Sequence, residues 1–141
     1  YDLHILLRFD LERRMVSGDL KVKDVPAAWS DHFSELFGMT PPDDRHGCLQ
    51  DIHWSMGGLG YFSTYTLGNL NAAQLFATAS ADSAIADGLA KADYAPLLAW
   101  LRENIHRHGA TFDPAVLIER ATGAPPSTEA HLSHLFGRYC A

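Results

Sequence analysis

Apolar positions Leu3, Leu6, Leu7, Leu11 and Met15 recur at spacings of three and four, which draws one buried stripe down a helix over residues 3–16 that Gly18 closes. A second helix is predicted over residues 26–37, with Trp29, Phe33, Leu36 and Phe37 on one side; Gly38 follows it and Pro41-Pro42 blocks continuation. Residues 43–60 read mostly as loop with a helical turn. The helix-favouring run 67–79, with Leu70, Ala73 and Leu75 as buried candidates, predicts a long helix that carries Tyr61 or Tyr65 near its start. Asp82 is placed to cap a short helix reaching Ala90. Asp93, with Pro96 in the first turn, is placed to cap another that runs to His108 before Gly109. Asp113-Pro114 opens a helix closed by Gly123. After Pro125-Pro126, Ser127 caps a last helix on which Leu132, Leu135, Phe136 and Tyr139 repeat at helical spacing.

The pattern amounts to about six or seven helices, with no sustained period-two alternation, no repeat of fixed period and no low-complexity tract. The expected architecture is all-α and bundle-like, a single segment over residues 1–141 without an internal linker. The chain opens at Tyr1 already inside a helical pattern, which suggests a segment of something longer.

Composition narrows the function. A hydrophobic content of 47% with 20% charged residues is that of a globular domain with one ordinary core. A formal charge of -6 and eleven scattered Lys and Arg argue against a nucleic-acid partner, which needs a basic patch to neutralise phosphate. No apolar run approaches the roughly 18–20 residues that cross a bilayer, and no signal-peptide pattern is present at Tyr1, so no membrane association and a cytosolic setting are expected. Cys48 and Cys140 lie far apart and in no CxxC arrangement, which fits two reduced thiols.

Reactive side chains concentrate in one place. Gly47-Cys48-Leu49-Gln50-Asp51-Ile52-His53-Trp54, then Gly57, Gly58 and Gly60, then Tyr61-Phe62-Ser63-Thr64-Tyr65, bring an amide, a carboxylate, an imidazole and two phenols together among glycines that allow close approach. A neutral imidazole at His53 can donate one hydrogen bond to a developing oxyanion while Asp51 or Gln50 holds its other nitrogen. Tyr61 and Tyr65, four apart, would share a helix face and offer neutral phenol donors. The bland reading is that Asp51 caps a short helix and His53 and the tyrosines pack. The glycines make either a substrate-covering loop or plain turns. Arg8, inside the apolar run His4-Ile5-Leu6-Leu7-Arg8-Phe9, is spaced to pair with Glu12 and is a candidate to line a polar cavity. The eight histidines do not make a metal site: His106 and His108 are two apart, whereas helical zinc ligands stand at i and i+4.

On these residues the chain resembles the carboxypeptidase Taq family of HExxH zinc metallocarboxypeptidases. Gly47 to Trp54 fits that family's GxxQDxHW motif at every defined position, and Pro41-Pro42-Asp43-Asp44, Gly60-Tyr61-Phe62, Thr64-Tyr65 and Leu67-Gly68-Asn69-Leu70 resemble its neighbouring sequence. The likeness continues through Leu3-His4-Ile5, Leu7-Arg8-Phe9, Gly18-Asp19-Leu20, residues 100–106 and Glu119-Arg120-Ala121-Thr122-Gly123, and so covers nearly all of the chain. Ser63, where proline is frequent, and Asn71, where an aromatic is common, depart from it.

The resemblance implies the carboxy-terminal segment of a larger, predominantly helical metallopeptidase that removes carboxy-terminal residues from peptides. The HExxH helix and the downstream glutamate that hold zinc, or cobalt in its place, would precede Tyr1, so this chain supplies no metal ligand and would be inactive without its amino-terminal catalytic portion. By resemblance His53 and Tyr65 are the oxyanion donors, Tyr61 is the second choice of phenol, Gln50 and Asp51 shape the substrate site and orient His53, and Arg8 is a reserve cation for the substrate carboxylate. The family implies a cytosolic homodimer. The rival expectation is a catalytically inactive, self-standing helical interaction domain derived from such a peptidase.

Overall fold

The computed structural model describes residues 1–140, which form eight α-helices and short 3-10 turns, with no strand among the described residues. Packing divides them into two compact units, Tyr1–Leu67 and the residues from Gly68 on. The division falls inside one continuous helix.

The first unit contains α1 (Asp2–Ser17), α2 (Val25–Phe37), the four-residue α3 (Ile52–Ser55) and the first turn of α4 (Thr64–Ala79). Both long helices end as their glycines predict: Gly18 and Gly38 adopt left-handed φ of 86° and 67°, and the Gly38 N–H bonds back to the Ser34 carbonyl. Their core is Leu7, Leu11, Leu20, Val25, Trp29 and Cys48, with Phe33, Leu36 and Trp54 packed against it. Residues 43–60 are turns, a 3-10 turn at Cys48–Gln50 and α3, in keeping with a loop holding a helical turn.

The buried side of α1 differs from the predicted stripe. Leu3 and Leu6 are 41% and 53% exposed, while the buried positions are Ile5, Leu7, Arg8, Leu11 and Glu12. Hydrophobic spacing alone could not orient a helix that is apolar on more than one side. What orients it is that Arg8 and Glu12 find buried partners on the segment 51–60, and a buried charge requires such partners.

The second unit continues α4 and adds α5 (Ser83–Ala90), α6 (Ala95–Asn104), α7 (Pro114–Thr122) and α8 (Glu129–Tyr139). Asp82 caps α5 as predicted, its Oδ1 accepting the Ala84 N–H at 2.8 Å. Asp93 Oδ1 accepts the Ala95 N–H at 3.0 Å at the head of α6. That helix stops at Asn104, not His108; the chain breaks at Ile105 and makes a separate 3-10 turn over His106–His108. Gly123 closes α7 with φ 80°. Ser127 is not the cap of α8: the cap position falls on Thr128, with no side-chain cap bond, and the Ser127 backbone N–H donates to Gln74. The predicted α4 face also changes: Leu70, Ala73 and Leu75 are only half-buried, and the buried positions are Gln74 and Ala79.

Gln74 secures the turn after α7. Its amide nitrogen donates to Thr122 Oγ1 and to the carbonyls of Ala124 and Pro125 at 3.0–3.2 Å, and its Oε1 accepts the Ser127 N–H at 3.0 Å. Pro125 and Pro126 contribute no backbone N–H to that segment, and Gln74 supplies donors to its carbonyls. Gln74→Ala removes these part-buried bonds and should lower unfolding stability by about 1–2 kcal/mol, read from urea denaturation.

His4 gives the first unit a pH dependence. Its ring packs on Phe33 and Phe37 with centroids 5.5 and 4.6 Å away, and its Nδ1 lies 3.4 Å from Arg8 Nη1. Burial first, then the Arg8 charge, hold its pKa below the ordinary 6.5. The unfolded chain therefore binds the proton more readily, and the stability contributed by neutral His4 is complete above pH 6.5 and lost as pH falls below it. Unfolding free energies measured from pH 7.5 to 5 should fall less steeply in His4→Phe than in the parent chain.

Candidate functional site

The residues singled out from the sequence gather around α3. Asp51 sits in extended conformation at its amino end, and its Oδ1 accepts the Trp54 N–H at 3.0 Å, so it caps the helix. Its other oxygen, Oδ2, accepts a 2.7 Å hydrogen bond from Arg8 Nε. Asp51 is thus shared between a backbone cap and an ion pair, with its side chain fully shielded from solvent.

Arg8 is packed on every side. Its guanidinium carbon lies 4.7 Å from the Trp29 ring centre and 4.4 Å from that of Phe62, and Nη1 donates to the His4 carbonyl at 3.0 Å. Neither Arg8 nor Glu12 follows the i,i+4 pairing their spacing offers. Arg8 turns to Asp51, while Glu12 accepts the Trp54 indole N–H on Oε1 at 2.8 Å and the Gly60 N–H on Oε2 at 3.0 Å.

His53 stands on the first turn of α3 and its side chain is 16% exposed. Its ring stacks on Tyr61 at 5.3 Å with an interplanar angle of 25°, and meets the edges of Phe62 at 5.2 Å and Tyr65 at 6.1 Å. Its Nδ1 is buried without a hydrogen-bond partner, 3.6 Å from Asp51 Oδ1. That separation is just beyond a hydrogen bond, so Asp51 exerts a field on the imidazole while its bonds go to Trp54 and Arg8. Gln50 does not approach His53: it is exposed, and its amide nitrogen donates to the Arg45 carbonyl.

Tyr61 precedes α4 and Tyr65 lies in its first turn, yet their rings meet edge to face at 5.9 Å. Hydrogen bonds from the N–H groups of Thr64 and Tyr65 to the carbonyls of Tyr61 and Phe62 continue the winding backward, which is why an i,i+4 pair forms across the helix start. Partial desolvation first, then the neighbouring Tyr61 and Tyr1 phenols, push the Tyr65 phenol above its ordinary pKa. It is a neutral donor across the physiological range.

The glycines between α3 and α4 make pinned turns. The Gly57 N–H bonds the Trp54 carbonyl at 3.0 Å, that of Gly58 the His53 carbonyl at 2.7 Å, and that of Gly60 Glu12. A Cβ at Gly58 would come within 3.2 Å of the His53 carbonyl oxygen, and Gly60 holds φ 80°. Together they let the chain fold back so that Tyr61 reaches His53. Burial first, then Asp44, raise the pKa of the Cys48 thiol, which keeps it protonated and a poor nucleophile.

Among the described residues no three His, Cys, Asp or Glu side chains are grouped to hold a metal ion. The residues present therefore do not fit a metal site of their own. Among the same residues no helix is long and apolar enough to cross a membrane.

The structure brings His53, Asp51, Tyr61 and Tyr65, singled out from the sequence, into one cluster. Sequence reasoning missed Phe62, which forms one wall of both the His53 and the Arg8 sites, and the role of Glu12 as acceptor for Trp54 and Gly60. The only signal for Glu12 was a carboxylate four positions from Arg8, on the same side of α1.

The family model for Carboxypeptidase Taq (M32) metallopeptidase matches residues 1–139. The thermostable carboxypeptidase 1 of Thermus thermophilus is 43% identical over 142 residues, covering 100% of this chain and 28% of its own length. That of Pyrococcus furiosus is 46% identical over 130 residues, covering 92% and 26%. A crystal structure of a carboxypeptidase of this family from Deinococcus radiodurans superposes with a TM-score of 0.93 at 42% identity, over 99% of this chain and 28% of that one. The chain thus spans little more than a quarter of the proteins it matches. On the match of the family model over residues 1–139, together with the GxxQDxHW segment that builds the candidate site, the chain belongs to the carboxypeptidase Taq family of metallopeptidases.

Proposed function

We propose that this chain is the carboxy-terminal portion of a metallocarboxypeptidase that hydrolyses carboxy-terminal residues from peptides, contributing oxyanion-stabilising and substrate-contacting groups and no metal ligand. The observation that carries the reading is the cluster in which the His53 ring is held against Tyr61, Phe62 and Tyr65. The family membership and the carboxypeptidase names of the relatives give that cluster its chemistry.

When a peptide carbonyl becomes tetrahedral, its oxygen gathers charge that fixed donors stabilise better than water does. His53 and Tyr65 are assigned as those donors, with Tyr61 as the alternative phenol. A neutral Tyr65 has its proton to give. His53 Nδ1 is buried beside Asp51, 3.6 Å from its Oδ1, so the nitrogen assigned to donate to the oxyanion is Nε2, in the tautomer that carries its proton there.

Arg8 is assigned to holding Asp51, since its guanidinium is already enclosed by Asp51, Trp29 and Phe62. The cation that binds the substrate carboxylate is then sought outside this chain, and Gln50 is assigned to tethering the loop that precedes Asp51. The metal is taken to be zinc, held by residues outside this chain, and the complete enzyme a cytosolic homodimer, in keeping with the sequence resemblance.

In the full-length protein, His53→Ala and Tyr65→Phe should each lower kcat by about 10²–10³-fold while bound metal, measured by atomic absorption, stays at the wild-type level. Unchanged kcat in both variants rejects the oxyanion assignment. Asp51→Asn keeps an oxygen for the α3 cap and removes the charge opposite Arg8; it should cost about 3–5 kcal/mol in chemical denaturation of the same protein. A loss below 1 kcal/mol would show that Arg8 does not depend on that charge.

A further inference from the structure

Glu12 is one of the most deeply buried charged residues, 3% exposed, and lies mid-helix in α1. Its two oxygens go to two different points on one distant segment: Oε1 to the indole N–H of Trp54, the residue after His53, and Oε2 to the backbone N–H of Gly60, the residue before Tyr61. The turn between those points carries Gly57, Gly58 and Gly60, the part of the segment with the greatest backbone freedom. The two donors therefore mark the two ends of the turn that brings the Tyr61 ring to His53.

We infer that Glu12 is a positioning residue for catalysis, a two-point clamp that holds the Tyr61–Tyr65 turn against His53; this rests on the oxyanion reading given above. The chemistry of the side chain supports it. Both partners are donors, so the clamping group must accept at two points at once. A carboxylate does this, whereas glutamine has one accepting oxygen and would turn its amide N–H₂ toward either the indole or the Gly60 N–H. Aspartate is shorter by one methylene and cannot span both. An apolar side chain in this place would pack as well and leave both N–H groups buried without partners. Core packing alone gives no reason for a carboxylate here, but fixing two N–H groups six residues apart does.

The test uses the full-length protein, an N-blocked dipeptide as substrate, and Glu12→Gln. Expected are faster hydrogen exchange at the Gly60 amide and a kcat lowered by about tenfold or more at near-constant KM and metal content, since small misplacements of catalytic groups act on the rate. Because Glu12 acts through the tyrosine turn, Glu12→Gln combined with Tyr65→Phe should lose little beyond Tyr65→Phe alone. A merely structural role would instead let the two losses multiply. Unchanged Gly60 exchange, unchanged kcat or multiplicative losses would each overturn the inference. Should Glu12→Gln fail to fold, Glu12→Asp is read in the same way. If His53→Ala and Tyr65→Phe themselves leave kcat intact, the oxyanion reading falls and takes this inference with it. If those two lower kcat and Glu12→Gln does not, only the clamp is lost.

Discussion

Placing the Arg8 guanidinium beneath α3 would cost several kcal/mol if it stood there alone. Asp51 answers it with a 2.7 Å charged hydrogen bond, and Trp29 and Phe62 close over its two faces. From this pair the rest of the first unit follows. Asp51 can then cap α3 with its second oxygen, α3 carries His53 on its first turn, and Phe62, drawn onto Arg8, brings Tyr61 and Tyr65 with it. One buried cation on α1 thus fixes the position of a site some 40–60 residues further along the chain. Glu12, one turn beyond Arg8, secures the same segment at two more points.

The two units solve a shared problem by similar means. Segments that carry prolines or several glycines cannot satisfy their own backbone groups and cannot hold a shape by themselves. In the first unit Glu12 reaches across from α1 to bind the glycine turn. In the second, Gln74 reaches from α4 to the proline turn after α7. Each uses a planar, multidentate polar side chain on a rigid helix, and the choice between carboxylate and amide follows the partners. Glu12 meets only N–H donors, whereas Gln74 meets carbonyls and a hydroxyl on one side and an N–H on the other.

Much of the helical layout was readable along the chain because its punctuation is local. Gly18, Gly38 and Gly123 stop helices through a left-handed φ, Pro41-Pro42 blocks one, and Asp82 caps another through its own neighbour. Where an end depends on a distant partner the reading failed. The cap position of α8 falls on Thr128 beside the turn that Gln74 ties down, and α6 stops at Asn104 although no glycine or proline stands there. The site was legible as a concentration of reactive side chains between residues 47 and 65, since short spacing forces such groups into one region.

The sequence by itself determined the all-α class, most helix limits, the family and the motif that brings Asp51, His53 and the tyrosines near one another, because each is written in spacings of a few residues. Only the tertiary structure decided which side of α1 is buried, that Arg8 belongs to Asp51 and Glu12 to Trp54 and Gly60, and that Gln50 turns away from His53. Those outcomes depend on pairings across more than 40 positions or on competition among several available partners. Burial selects the arrangement that leaves the fewest charges and N–H groups unmatched, and a linear pattern of apolar and polar residues does not contain that comparison.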